Sequence, residues 1–540
     1  MNTKKKASIK IIFFIIVASL PLMFCSSGYI TPYSLTATAA PFIETAVPTA
    51  YFVGPTNLPN SEATPLPTED SAVISPMPSV DPNLTATEAP TPTETLEPIA
   101  ADTPPMLYFA QSGDSVPALA NRFGVNQFEI VSAEEIPENG YLSPGQMMMI
   151  PLRLAHTSPE TQLIPDSEIV YSPSANDFDI RAYVNSIGGK LSTYKEYLGT
   201  SGDSTGPEVI ENVAEVNSIN PRILLALLQY RSNWVYGQPS TLSQTDYPLG
   251  NNNYREKGLF KQLSWAVNQL SVGYYDWREG KITHLNFSDG NSVRLAPTLN
   301  AGTVAILYYF NQVLGYDEWL QAIDPNTGFL KFYTEMFGDP WGRAAQVEPL
   351  LPSNLSQPPL TLPFYKEQVW AYTSGPHGAW QSLGSLAAID FAPGAEISGC
   401  VKSDNWVLAS ASGIIARMDV GVVVLDMDGD GDETTGWNLL YLHLDNTDHL
   451  SEGEWLDVGD FLGNPSCEGG NSTGTHIHFA RKYNGEWITA GGAIPMNLGG
   501  WVVEAGNEPY EGFLNRGNER IKSCICGAFY TQIIREISDP

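Results

Sequence analysis

Residues 474–480 read GTHIHFA, two histidines around one isoleucine in a chain that holds only seven histidines in 540 residues. The apolar neighbours predict a strand. Successive strand side chains point to opposite faces, so His476 and His478 would share one face while Ile477 and Phe479 point to the other. Two imidazoles on one face suit a small charged object. The same spacing also occurs on the solvent face of a half-buried strand, so the decision lies with the other scarce histidines and acids.

Working outward, the runs LAAIDFAP, WVLASASGIIARM, VGVVVLD, WNLLYLHL, THIHFARKY and EWITA alternate and are separated by Gly and Asp turns, which predicts mostly antiparallel β structure over about 360–505. His377 stands in SGPHGAWQS, Asp390 in AAIDF and His443 in LYLHL. Asp390 lies between Ile389 and Phe391, which would face the core. His443 is expected to share a face with Tyr441, with Leu442 and Leu444 turned inward. Several strands would then present His and Asp to one surface. Neutral imidazoles with one carboxylate suit zinc, and three protein ligands leave a fourth position for water, as in a catalytic site.

The order H…D…YLHL…GTHIH resembles the lysostaphin and LasA type of Gly-Gly zinc endopeptidase, a family with a duplicated-hybrid-motif fold that cleaves peptide bridges in bacterial cell walls. The wide interval from His377 to Asp390 is similar to the LasA and β-lytic branch. The resemblance implies one Zn2+ held by His377, Asp390 and His478. It also implies His443 and His476 as unligated catalytic histidines, one a base and the other stabilising the oxyanion, roles that sequence does not divide between them. Tyr441 is either a substrate-positioning residue or a tyrosine on a sheet face. The competing reading is a non-catalytic wall adhesin or hydrolase regulator on the same scaffold, which predicts a missing ligand or catalytic histidine; all five are present.

In DMDGDGDETTGW, residues 426–437, Asp426, Asp428 and Asp430 fall at positions 1, 3 and 5 of a calcium loop with Gly431 at 6, but Trp437 replaces the bidentate Glu at 12. Flanking strands favour a Gly-Asp hairpin turn over a Ca2+ site. Cys400, Cys467, Cys524 and Cys526 are an even set in a chain that reads as exported, which favours disulfides over a CxC metal pair. Of three pairings, Cys400 with Cys467 is preferred, leaving Cys524 and Cys526 by elimination.

Upstream, residues 1–30 combine the basic MNTKKKASIK with the apolar IIFFIIVASLPLMF, an export signal or membrane anchor. Cys25 resembles a lipoprotein acylation site, although bulky Phe24 precedes it; cleavage near Ala37–Ala40, or retention as an anchor, are the other fates. Residues 31–105 are a disordered Pro/Thr/Ser-rich stalk by composition. A net charge of -31, from 59 acidic against 28 basic residues, speaks against nucleic acid and fits an extracellular, cell-surface or wall-associated protein.

Residues 106–152 predict strand, helix, helix, strand, the first helix carrying Val116, Leu119, Ala120 and Phe123, the second starting at Asn126 and the last strand being MMMI. With SGDS, RFGV, LSPGQ and IP, this unit resembles a LysM domain. That resemblance implies binding of N-acetylglucosamine glycans, chiefly peptidoglycan, in a groove around Gly113, Asp114, Ser115, Ile136 and Pro137.

Residues 165–350 are mainly helical. There INPRILLALLQYRSNWV resembles a lysozyme-like transglycosylase or glucosaminidase helix, but Arg231 precedes Ser232 where that family has Glu. Arginine has no proton to give near neutral pH, so the unit is expected to be catalytically silent. The fold expected is multidomain: a small βααβ LysM unit, an α middle domain, a β peptidase domain over 360–505 and a C-terminal extension over 506–540. The expected function is hydrolysis of wall peptide cross-bridges by an exported zinc endopeptidase held on glycan.

Overall fold

The computed structural model describes residues 104–199, 202–395 and 397–539. The export signal, Cys25 and most of the expected stalk lie outside the described residues. The strand β1 (Met106–Phe109) pairs antiparallel with β3 (Met147–Ile150), which also pairs with β2 (Val131–Ser132). Tyr108, Met148 and Ile150 meet Leu119 and Phe123 of α1 (Val116–Phe123) in a small core. The expected second helix is a correction: it is one 3-10 turn, Gln127–Glu129, capped by Asn126 and followed directly by β2.

The middle region is helical, as its periodicity predicts. α2 (Gly206–Asn217), α3 (Pro221–Ser232), α4 (Leu259–Arg278) and α5 (Ala301–Val313) are its longest elements. α3 starts where Asn220 accepts from the Arg222 N–H and Pro221 needs no donor partner, and it stops at Asn233 with φ 54°.

Beyond residue 360 the chain is sheet-rich. Besides a four-stranded sheet between residues 497 and 522, its strands are β4 (Val369–His377), β5 (Ala388–Pro393), β6 (Val407–Leu408), β7 (Gly413–Asp419), β8 (Val422–Asp426), β9 (Trp437–Leu442), β10 (Leu444–Asp445), β11 (Trp455–Leu456), β12 (Phe461–Pro465), β13 (Ile477–Tyr483), β14 (Glu486–Trp487) and, near the C-terminus, β15 (Gln532–Ile534). The large sheet has the order β11-β7-β8-β9-β13-β5-β4-β15, with β14 paired to β13. A small sheet has the order β6-β12-β10. The expected C-terminal extension is not an appendage: β15 closes the edge of the large sheet, with Ile533 opposite Trp370.

The large sheet is covered on both faces. One face carries Trp370, Ile389, Phe391, Tyr441, Ile477 and Phe479 into the core of the β region. Ala388, Val422, Leu440, Leu442 and Ala480 join the core of the helical region instead. Helical and β regions therefore share one buried core. A hub reinforces it: the Arg278 guanidinium pairs with Asp166 at 2.8 Å and with Glu486 of β14 at 2.9 Å, and lies against Gly113 of the N-terminal unit.

Candidate active site

Three neighbouring strands build the site. Asp390 of β5 and His478 of β13 are direct cross-strand partners, while the register of β4 slips twice before His377 meets Ala388. Ile477 and Phe479 face the β core, as alternation predicts, and leave His478 on the opposite face. His377 Nε2, His478 Nδ1 and Asp390 Oδ1 converge at separations of 3.0, 3.2 and 3.3 Å.

The far sides of both rings fix their tautomers. His377 Nδ1 lies 2.8 Å from the Gly375 carbonyl, and His478 Nε2 lies 2.9 Å from that of Ala379. A carbonyl only accepts, so those nitrogens carry the protons and the inward nitrogens carry lone pairs. Asp390 Oδ1 has no hydrogen-bond donor. Three buried acceptors this close repel unless a cation sits among them. Ligand atoms about 2 Å from a tetrahedral zinc stand about 3.3 Å apart, so the donor set fits the metal implied by the sequence.

The two remaining histidines close on this cluster. The His443 ring lies 4.5 Å from that of His476 and 6.1 Å from that of His478, centroid to centroid. His476 Nε2 stands 3.7 Å from Asp390 Oδ2. His443 Nδ1 donates to the Glu468 carbonyl at 2.8 Å and His476 Nδ1 to that of Gly474 at 2.7 Å, leaving each Nε2 unprotonated in the neutral ring. Burial, with His476 and His478 beside it, pushes the His443 imidazole down to about 3.

Two strand expectations need correction. Tyr441 does not share a face with His443: it packs in the β core against Phe479, and its hydroxyl accepts from the Ser410 N–H at 2.7 Å. The cause is His443 itself, whose φ of 71° interrupts the strand and breaks the alternation. Leu442 and Leu444 consequently enter different cores.

The residue that sequence reasoning missed is Tyr510. Its ring stacks on His377 at 4.6 Å and 19°, it is 49% exposed, and it holds φ 71°. Its N–H donates to the Pro376 carbonyl and its own carbonyl accepts from Gly375 N–H, which fixes it beside the ligand. No local pattern around NEPYEG signals this.

Other expected residues divide. Cys400–Cys467 and Cys524–Cys526 are both disulfides, and no CxC metal pair forms. Asp426, Asp428 and Asp430 lie close together, but the Asp426 carboxylate accepts from the N–H groups of Asp428, Gly429 and Gly431, which makes it the anchor of a hairpin turn. In the expected glycan groove, Ser115, Ile136 and Pro137 retain exposure, whereas Gly113 and Asp114 do not. Asp114 is 1% exposed, accepts from Tyr108 and the Gln111 N–H, and pairs with Arg122; Gly113 lies under Arg278. Tyr108 and Arg122 of the same unit enclose Asp114, and Arg278 of the helical region covers Gly113, which takes both out of reach of a sugar.

Comparison with known proteins finds similarity in both the helical and the β region. The family profile described as "LasA, N-terminal domain" matches residues 162–350, the helical region. Protease LasA of Pseudomonas aeruginosa is 26% identical over 365 residues, covering 64% of this chain and 79% of that protein. The beta-lytic metalloendopeptidase of Achromobacter lyticus is 29% identical over 120 residues, 21% of this chain and 29% of that protein. The solved M23 metalloprotease pseudoalterin, from the deep sea, aligns at a TM-score of 0.28 with 22% identity, covering 33% of this chain and all of that one. The chain is a zinc metalloendopeptidase.

Proposed function

We propose that this metalloendopeptidase is exported and hydrolyses the peptide cross-bridges of bacterial peptidoglycan. The observation that carries the reading is the convergence of His377 Nε2, Asp390 Oδ1 and His478 Nδ1, with His443 and His476 beside them. The order of those five residues, and the interval from His377 to Asp390, resemble the LasA and β-lytic branch of such enzymes.

His377, Asp390 and His478 would hold zinc. When bound, zinc lowers the pKa of water from about 15.7 toward about 7 and polarises a scissile carbonyl. The Gly375 and Ala379 carbonyls hold the two ligand imidazoles in their donor tautomers. His443 and His476 present unprotonated Nε2 atoms, and between them they accept the proton of the attacking water and, once protonated, donate to the oxyanion and return the proton to the leaving amine. Tyr510, stacked on His377, keeps that ring from turning and sets one wall of the site.

The N-terminal unit serves as a LysM-type anchor on glycan, with Ser115, Ile136 and Pro137 as the contacts left open. Anchoring raises the effective concentration of the active site at its substrate. Attachment to the cell surface, through an acylated Cys25 or a retained signal, belongs to the same reading. Among the described residues no helix is long and apolar enough to cross a membrane.

Mass spectrometry of fragments released from defined peptidoglycans, run beside zinc analysis of the purified protein, tests the proposal. New amino termini within cross-bridges, abolished by chelation and restored by zinc, are expected. A zinc-loaded protein that releases only sugars, or nothing, overturns it.

A further inference from the structure

We infer that the aromatic surface around Trp406 and Phe461 is a platform for the glycan strand from which the peptide under cleavage hangs. The inference rests on the wall-peptidase reading above. The Trp406 and Phe461 rings stack at 4.9 Å with 24° between their planes. Tyr365 packs edge-on against Phe461 at 5.8 Å, and His449 against Trp406 at 5.8 Å. His449 Nε2 donates to the Phe461 carbonyl at 3.1 Å, which ties the two segments together. Phe461 is 43% exposed, His449 is exposed, and Trp406 and Tyr365 are half-buried. Each of the two stacked rings covers one face of the other, and a fixed aromatic stack that keeps this much exposure at the water boundary suits recognition more than a core.

The acidic residues of the same segments bear on which ligand fits. Asp404, Asp445, Asp448 and Asp460 are all exposed close by in the chain. Carboxylates accept hydrogen bonds from hydroxyl groups and repel polyanions, so a neutral polyhydroxylated chain suits the surface, its C–H faces lying on the rings.

Position supplies the link to catalysis. Phe461 opens β12, and the residue after that strand, Ser466, donates its N–H to the His443 carbonyl at 2.7 Å and accepts from the His476 N–H at 3.3 Å. The path from Phe461 to Ser466 is five residues, about 17 Å along a strand. A peptide branching from a sugar covers that span in about five extended residues. A sugar seated on the platform would therefore bring the cross-bridge end of its own peptide to the catalytic histidines.

The test uses the full-length protein and two substrates with the same cross-bridged peptide, one freed of sugar and one still carrying its disaccharides. Trp406→Leu and Phe461→Leu keep apolar bulk and remove the flat ring. Each is expected to raise KM for the sugar-bearing substrate about tenfold, with kcat kept and with unaltered kinetics on the sugar-free one, which also reports an intact fold. Equal losses on both substrates from both variants overturn the platform, and so do wild-type kinetics on both, which would assign the face to a protein partner or a second copy. A wild-type protein inert on both substrates overturns the peptidase reading itself, and the platform falls with it.

Discussion

Asp390 supplies the only negative charge among the three convergent donors, so its loss and the loss of a catalytic histidine should separate cleanly. Asp390→Ala is expected to weaken zinc binding by at least about 100-fold, read by competition with a chelator, and to abolish turnover. His443→Ala should keep stoichiometric zinc and lose about 10²–10⁴ in kcat. The reverse pattern would exchange the assigned roles. The five residues that gather here were legible in the sequence because four are histidines, of which the chain has seven, and because the order of the five is distinctive. Tyr510 was not, since only the pairing of its backbone with Gly375 and Pro376 carries it to His377. Tyr441 was misread because alternation assumes extended backbone throughout, and φ at His443 is 71°.

Elements position these side chains through their loops. The Ala379 carbonyl that orients His478 belongs to the turn after β4, where a Cβ on Gly378 would stand 1.8 Å from the Gln381 carbonyl oxygen. Gly378→Ala is therefore expected to displace that turn and lower zinc affinity while thermal unfolding shifts by only a few degrees; unchanged affinity would show that the turn does not set the ligand.

Arg417 of β7, Glu433 of the loop after β8, Lys482 of β13 and Glu215 of α2 form an ionic set with opposite pH responses. Glu433 is pushed up by burial, but Lys482 and Arg417 outweigh this and hold it at about 2. Its stabilisation, on the order of a few kcal/mol, is complete above about pH 4.5 and is lost as pH falls toward about 2. Glu215 of α2 is raised by burial to about 7. Its contribution is complete below about pH 4.5 and is lost as pH rises to about 7. Urea unfolding should thus weaken on both sides of mildly acid pH, and Glu215→Gln should flatten the upper limb alone.

At the scale of the molecule, three regions read as separate domains are joined through Arg278. Arg278→Ala would leave Asp166 and Glu486 facing each other in a buried place, a loss of about 3–5 kcal/mol expected to appear as one lowered unfolding transition. A drop confined to one of two resolved transitions would show that the regions unfold independently.

The sequence by itself determined the helical and β regions, through their periods, and singled out the four histidines and one aspartate that gather at the candidate site, through their order. Tertiary structure alone decided the rest: that β15 completes the sheet, that Gly113 and Asp114 are covered, that helices share a core with the catalytic face, and which ring nitrogens point inward. Those features depend on contacts between residues far apart in the chain, where local pattern carries no information and packing chooses the partner.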